Sequence, residues 1–224
     1  MVISRPSLLY PLFASTSSLP GIGEKTAASI SNKIGNTVLD LIFHLPTNII
    51  DRRPTTDIES CPSNSYITIQ VIIDKHLPNF FNSKKPYRIN GFCKKTSVEL
   101  IFFNPKGDYL KNLLLINSIF LISGKLNWYN NKAQITHPDY ILPLNESSKI
   151  PLFEPIYPSV KGISKKVLRK AIIHGLKKIP NELPEWIPLE LMKKYKWPSF
   201  SEAMHNLHNP VEDYLFKNNS LFKD

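Results

Sequence analysis

Hydrophobic positions change their period twice along the chain. Residues 7–50 carry apolar side chains at helical spacing, broken by residues that stop helices. Ser18-Leu19-Pro20-Gly21-Ile22-Gly23 reads as a turn, Glu24–Lys33 as a helix ended by Gly35-Asn36, and Val38–His44 as a second helix capped by Thr37 and stopped by Pro46. From Tyr66 the pattern becomes β-branched and aromatic with partial alternation. Tyr66–Ile73, Tyr87–Lys94, Val98–Phe103, Ser118–Leu126 and Ala133–Thr136 read as strands, and Asp108–Leu115 has helical spacing between the third and fourth. The last zone returns to helical spacing, with Ser164 capping Lys165–Lys178, prolines at 180, 184 and 188 cutting a short segment, and a helix over Ser201–Leu207 stopped before Pro210.

Five short strands with one helix between the third and fourth is the strand order of an OB-fold barrel. The expected fold is therefore mixed β and α: a five-stranded OB-fold barrel over 61–145, an N-terminal helical hairpin over 1–60, and C-terminal helices over 146–224. With 224 residues and 42% apolar side chains, the chain can bury a substantial core.

Charge then narrows the partner. The chain carries 28 basic and 18 acidic groups, a net charge of +10, which favours an anionic partner, nucleic acid before membrane. The excess is not uniform. The first 60 residues are neutral overall, with five groups of each sign; residues 61–145 carry ten basic against four acidic, and 146–224 thirteen against nine. Two runs contain no acid: Lys75–Lys95, with Lys75, Lys84, Lys85, Arg88, Lys94 and Lys95, and Lys161–Lys178, with seven cations including Lys165, Lys166 and Arg169. Each run reads either as a phosphate-contacting surface or as a solvated face. A merely soluble helix gains from mixed signs, so seven cations without an acid weigh toward phosphate.

Several other chemistries fall away. The longest apolar stretch, Leu113–Ser123, is too short for a bilayer span, and Pro6 and Pro11 interrupt the stretch that would otherwise suggest a signal peptide. The two cysteines, Cys61 and Cys93, stand apart and read as reduced thiols of a cytoplasmic protein. Gly21-Ile22-Gly23-Glu24-Lys25-Thr26 lacks the glycines of a phosphate-binding P-loop and puts an acid beside the phosphates; it resembles instead the turn of a helix-hairpin-helix unit, serving either one phosphate or packing alone. His205 and His208 lie three apart without a third ligand, so no metal is assigned, and His137 before Pro138 reads as packing or strand-capping. With few acids and no nucleophile motif, the chain by itself reads as non-catalytic.

The aromatic residues are more informative. Phe102 and Phe103 end the third strand and, being adjacent, point to opposite faces. Tyr109 follows at the start of the helix, and Trp128-Tyr129 lies in the loop after the fourth strand. Aromatics at the edge of a basic barrel are suited to base stacking, worth about 1–3 kcal/mol per base; each is also explicable as core or as ordinary surface.

Several strings in order resemble the N-terminal region of the RecG family of branched-DNA helicases: Leu19–Thr26 (LPGIGEKT), Thr37–Pro46 (TVLDLIFHLP) and Asp51–Pro54 (DRRP) at the start, then Ile101–Asn104 (IFFN), Ile122–Lys125 (ISGK) and His137–Tyr140 (HPDY), and finally Glu154–Pro158 (EPIYP), Lys161–Lys170 (KGISKKVLRK) and Leu207–Pro210 (LHNP). The resemblance runs from about residue 7 to 210. It implies an OB-fold wedge that binds replication forks and Holliday junctions in recombination and repair. Phe103 would stack on a base at the branch point and Tyr109 would act as a second stacking residue, while Phe102, Trp128, Lys84, Lys85, Arg88, Lys94, Lys95, Lys125, Lys165, Lys166 and Arg169 complete the candidate DNA surface. Full-length relatives add ATP- and Mg-dependent motor lobes. No Walker A or DExH box occurs here, so no cofactor is expected in this chain, which is expected to be a monomeric truncated or split gene product, or a separately supplied N-terminal part. The rival expectations are a protein adaptor that docks a separately encoded motor and an inactive gene remnant. Two departures stand out: Cys93–Ser97 replaces the usual Asp-x-x-Gly turn, and Asn117 replaces a glycine, a mild change because asparagine tolerates positive φ.

Overall fold

The computed structural model describes residues 5–77, 85–105 and 108–210. In chain order its helices and strands are α1 (Tyr10–Phe13), α2 (Glu24–Ser31), α3 (Val38–Ile42), β1 (Asn48–Asp51), β2 (Tyr66–Leu77), β3 (Tyr87–Cys93), β4 (Thr96–Phe102), α4 (Tyr109–Leu113), β5 (Ile119–Tyr129), β6 (Lys132–Thr136), β7 (Tyr140–Pro143), β8 (Phe153–Ile156), α5 (Lys165–Leu176), α6 (Leu189–Tyr195) and α7 (Phe200–His208). The chain divides into two compact units, one of Ile50–Glu154 and one of the residues up to Ile49 and from Pro155 onward.

The first unit is the barrel. β2 pairs antiparallel with β3, and β3 with β4; β4 runs parallel to β6, β6 pairs antiparallel with β5, and β5 returns to β2. Five strands thus close in OB-fold order, which removes the exposed edges of an open sheet, and β7 adds a short outer pairing to β5. Alternation decides what lies inside: Ile67, Ile69, Val71 and Ile73 of β2 are buried, whereas Tyr66, Gln70 and Ile72 are exposed. These residues join Ile89, Leu100, Ile122, Leu126 and Ile135 in one core.

Two local details set the register. Gly91 sits opposite Ile73, next to an irregularity in the β2–β3 pairing, and a Cβ there would lie 2.6 Å from the Ile72 carbonyl oxygen. Only glycine allows that approach. Asn117 adopts φ +66°, and its N–H donates to the Ile73 carbonyl at 2.8 Å, as expected of an asparagine in a glycine position.

The second unit is helical. α3 carries a full capping box, with Asp40 accepting from Thr37 and Thr37 accepting from the Asp40 N–H, and the hydrogen bonds from Thr37 hold the Asp40 carboxyl below its ordinary range. Ser164 caps α5 as expected. The N-terminal and C-terminal helices, assigned to separate segments from sequence, share one core: Val38, Leu41 and Ile42 of α3 lie with Leu168, Ala171, Ile172 and Leu176 of α5. A five-residue helix cannot bury its apolar side chains by itself, and α5 supplies the partner surface. At Gly175, a Cβ would stand 3.0 Å from Ile42 Cγ2. The proline-cut segment holds one helix not anticipated from sequence, α6, which begins directly after Pro188, where the fixed φ of proline suits entry to a helix.

Candidate nucleic-acid interface

The end of β4 separates the two phenylalanines. Phe102 is 8% exposed and belongs to the barrel core, whereas Phe103, one residue on, is 52% exposed. The place of Phe102 on the candidate DNA surface is therefore corrected: its ring has no free face for a base. Phe103 is held from behind by His137. Its N–H donates to His137 Nε2 at 3.2 Å, and the two rings lie 5.7 Å apart, while the His137 ring meets Phe102 edge-on at 6.1 Å. His137 is itself fixed by φ +46° and by its N–H donating to the Ile101 carbonyl at 2.9 Å. The expected packing residue thus fixes the backbone of the exposed aromatic.

Tyr109 is the first residue of α4 and is 64% exposed. α4 is tied to the barrel through His76, whose Nε2 donates to the Leu114 carbonyl at 2.7 Å and whose Nδ1 accepts from the Tyr87 hydroxyl at 2.8 Å. Burial raises the Tyr87 phenol above its ordinary value, so it stays a donor. On the same helix Lys111 pairs with Asp108 at 3.0 Å, which raises its pKa; it is a cation two residues from Tyr109 that lies outside both basic runs.

Trp128 is not in a loop. β5 continues through Tyr129, and the Trp128 indole packs against the core with Nε1 donating to the Cys61 carbonyl at 2.9 Å. Half-buried, it packs on the barrel core from a strand and not from a loop, while Tyr129 stands exposed at the hairpin tip.

The first basic run is split by the fold. Because β3 and β4 form a hairpin, Lys94 and Lys95 lie in its two-residue turn, while Tyr87 and Arg88 pair with Phe102 and Ile101 at the other end. Lys94–Lys95 and Phe103 are thus about 25 Å apart along the strand, at roughly 3.3 Å per residue, and cannot serve one nucleotide. Lys85 and Arg88 lie toward the Phe103 end. Arg88 also bonds Glu99 at 2.8 Å, and Glu99 accepts from Gln134 at 2.6 Å, so part of its charge is committed. Lys125 is exposed on β5 opposite Tyr66. Lys84 lies outside the described residues. In the helical unit Lys165 and Lys166 are exposed on α5, and Arg169 is half-buried.

The residue sequence reasoning missed is Arg52, 3% exposed. Its guanidinium donates from Nε to Glu154 at 2.5 Å, from Nη1 to Ser123 at 2.9 Å and from Nη2 to Asp139 at 2.9 Å, with the Tyr66 and Tyr140 rings 5.3 and 5.0 Å away. Ser123 also accepts from Thr68 and donates to the Ile67 carbonyl. This planar fork ties the β1 end, β2, β5, β7 and β8 together.

Two other sequence candidates resolve into structure. His208 is buried, donating from Nε2 to the Ile42 carbonyl at 2.7 Å and accepting from the Tyr157 hydroxyl at 2.9 Å. Burial depresses its pKa, and it is a core residue of the helical unit. Among the described residues no cluster of His, Cys, Asp or Glu could hold a metal ion, and no helix is long and apolar enough to cross a membrane. At Gly21–Thr26 the acidic Glu24 occupies the first turn of α2, an arrangement that does not fit nucleotide phosphates, so no ATP chemistry is assigned to these residues.

A closed five-strand barrel with an exposed aromatic beyond β4 places the chain in the OB-fold class. The family model of the RecG wedge domain matches residues 19–179. The ATP-dependent DNA helicase RecG of Staphylococcus epidermidis is 28% identical over 196 residues, covering 87% of this chain and 28% of that protein; that of Staphylococcus aureus is 30% identical over 206 residues, with coverages of 88% and 29%. A solved structure of RecG bound to a three-way DNA junction matches with a TM-score of 0.74 at 21% identity, over 92% of this chain and 28% of that one. The chain belongs to the RecG wedge domain family, and it spans little more than a quarter of the length of the curated relatives it matches.

Proposed function

We propose that the barrel binds branched DNA, at forks and Holliday junctions, as the wedge module of a RecG-like helicase acting in recombination and repair. The observation that carries this reading is Phe103: a half-exposed aromatic at the barrel's rim, its backbone held by His137 and its neighbour Phe102 buried. A ring so fixed presents one face to an unpaired base with little entropy left to lose. Tyr109 is the second stacking group, and Lys85, Arg88 and Lys111 meet the flanking phosphates. Lys94 and Lys95 serve a separate stretch of backbone.

The test compares Phe103→Ala on a three-way junction and on a plain duplex of the same length. Junction affinity is expected to fall about 5- to 150-fold, corresponding to one lost base stack, with duplex affinity nearly unchanged. Equal loss on both substrates removes the stacking role.

One observation favours a second reading, an adaptor that docks a separately encoded motor. Phe92, Ile72 and Ile119 form an exposed apolar row across three paired strands on the outer face of the barrel. Salt-insensitive binding to a motor fragment, abolished by Ile72→Glu, would establish it; steep salt dependence with a fork preference favours DNA.

A further inference from the structure

The helical unit carries an aromatic and basic patch outside the barrel surface. At the C-terminal end of α6, Tyr195 and Trp197 stack on each other with ring centroids 5.0 Å apart and planes 22° from parallel. Both remain solvent-facing, at 53% and 50% exposure. Lys193, Lys194 and Lys196 interleave with them and are all exposed, and the Lys194 ammonium sits 5.3 Å over the Tyr195 ring. No acid occurs from Leu191 to Ser201. Of the flanking carboxylates, Glu185 is occupied by the Phe200 N–H at 2.9 Å, and among the described residues no carboxylate pairs with Lys193, Lys194 or Lys196.

The backbone adds a further observation. Lys196 adopts φ +53° at the helix end, where its N–H donates to the Lys193 carbonyl at 3.3 Å and the Trp197 N–H to the Met192 carbonyl at 3.0 Å. This closure is ordinarily made by glycine. A lysine there carries a left-handed strain that glycine avoids, and it places a third cation directly beside Trp197.

We infer that Tyr195 and Trp197, with Lys193, Lys194 and Lys196, form a second nucleic-acid site that takes a single-stranded segment, a base on the outer face of Trp197 and phosphates on the three lysines. Stacked aromatics among cations are the chemistry of single-strand binding, whereas lysine is depleted from the cores of protein interfaces. The site lies wholly in the helical unit and does not depend on the barrel reading.

The test therefore uses the full chain carrying Phe103→Ala, titrated with an oligothymidylate of about 12 nucleotides and read by fluorescence anisotropy. Trp197→Ala is expected to weaken binding roughly 5- to 150-fold, and Trp197→Phe to retain most of it. Lys196→Gly is expected to raise the thermal midpoint by relieving the backbone while lowering affinity for the oligonucleotide, two effects of opposite sign that a purely structural lysine would not produce. Replacing all three lysines by Gln is expected to reduce the slope of log K against log salt by about 2, at roughly 0.7 per contact. Unchanged affinity in Trp197→Ala and Lys196→Gly, with both proteins folded by circular dichroism, overturns the proposal. Loss of self-association in Trp197→Ala at unchanged oligonucleotide affinity also overturns it, by making the patch a protein-docking face.

Discussion

Replacing Arg52 by Met tests how the barrel is held together. The substitution keeps an apolar stem of similar length but leaves Glu154, Asp139 and Ser123 without their shared donor. The two carboxylates differ in what they lose. Asp139 is 45% exposed and rehydrates, so its share is small, about 0–1 kcal/mol. Glu154 is 18% exposed and also accepts from the Tyr140 hydroxyl, 3.1 Å away, which does not replace the lost cation. Removing one partner of a buried pair costs about 3–5 kcal/mol, and the relief at Asp139 puts the expected loss near the lower end, about 3 kcal/mol. Arg52→Lys keeps the charge but cannot reach three acceptors at once, and is expected to lose about 1–2 kcal/mol. With Trp186→Phe and Trp197→Phe as background, Trp128 reports on the barrel alone. At a urea dependence of about 1.5 kcal/mol per molar for a unit of this size, the Met variant unfolds about 2 M earlier than its parent and the Lys variant about 1 M earlier. A Met variant within about 0.5 M of the parent, or a Lys variant as unstable as the Met variant, would refute the three-acceptor account.

Three further outcomes are expected. Because burial holds the His208 pKa below its ordinary value, aided by the neighbouring His205 and His44, the unfolded chain takes up a proton first as pH falls below about 6.5. Stability of the helical unit then drops by up to about 1.4 kcal/mol per pH unit until the folded value is reached; the thermal midpoint of the parent should fall between neutral and mildly acidic pH more than that of His208→Gln, and parallel curves would contradict it. Gly91→Ala drives a methyl to 2.6 Å from the Ile72 carbonyl oxygen and is expected to cost the barrel about 1–3 kcal/mol, read by the Trp128 transition; an unchanged midpoint would mean that the β2–β3 pairing gives way freely. Lys94→Gln with Lys95→Gln is expected to lower the salt slope of junction binding by up to about 1.8, and an unchanged slope assigns both lysines to a solvated surface.

How far the sequence reaches depends on how local each signal is. The alternation of Ile67, Ile69, Val71 and Ile73 marks a strand with one buried face, and the same period puts Phe102 and Phe103 on opposite faces. Thr37, Ser164 and Asn117 announce caps and a left-handed turn by residue type alone. The strings that carry the resemblance contain Arg52, Ser123, Asp139 and Glu154, yet nothing in them announces that the four meet, because the partners of Arg52 lie 71, 87 and 102 residues away. The same distance hides the shared core of α3 and α5. The four-residue strands β1, β7 and β8 are too short to show a period. α6 sits among prolines that sequence reasoning takes as breakers, although Pro188 in fact begins it. At the candidate surface, an unbroken basic run conceals a hairpin that sends Lys94–Lys95 and Arg88 to opposite ends of β4.

The central claim is that Phe103 stacks on a base at a branch point, and a fluorescent base tests it most directly. With 2-aminopurine placed at the branch of a three-way junction, binding of the parent chain should unstack it from its neighbour and restack it on Phe103, giving a defined change in emission at saturation. Phe103→Leu, which keeps the apolar bulk but lacks the ring, should saturate the junction at higher protein concentration without that change. The same emission change in Phe103→Leu, or none in the parent, would contradict the account.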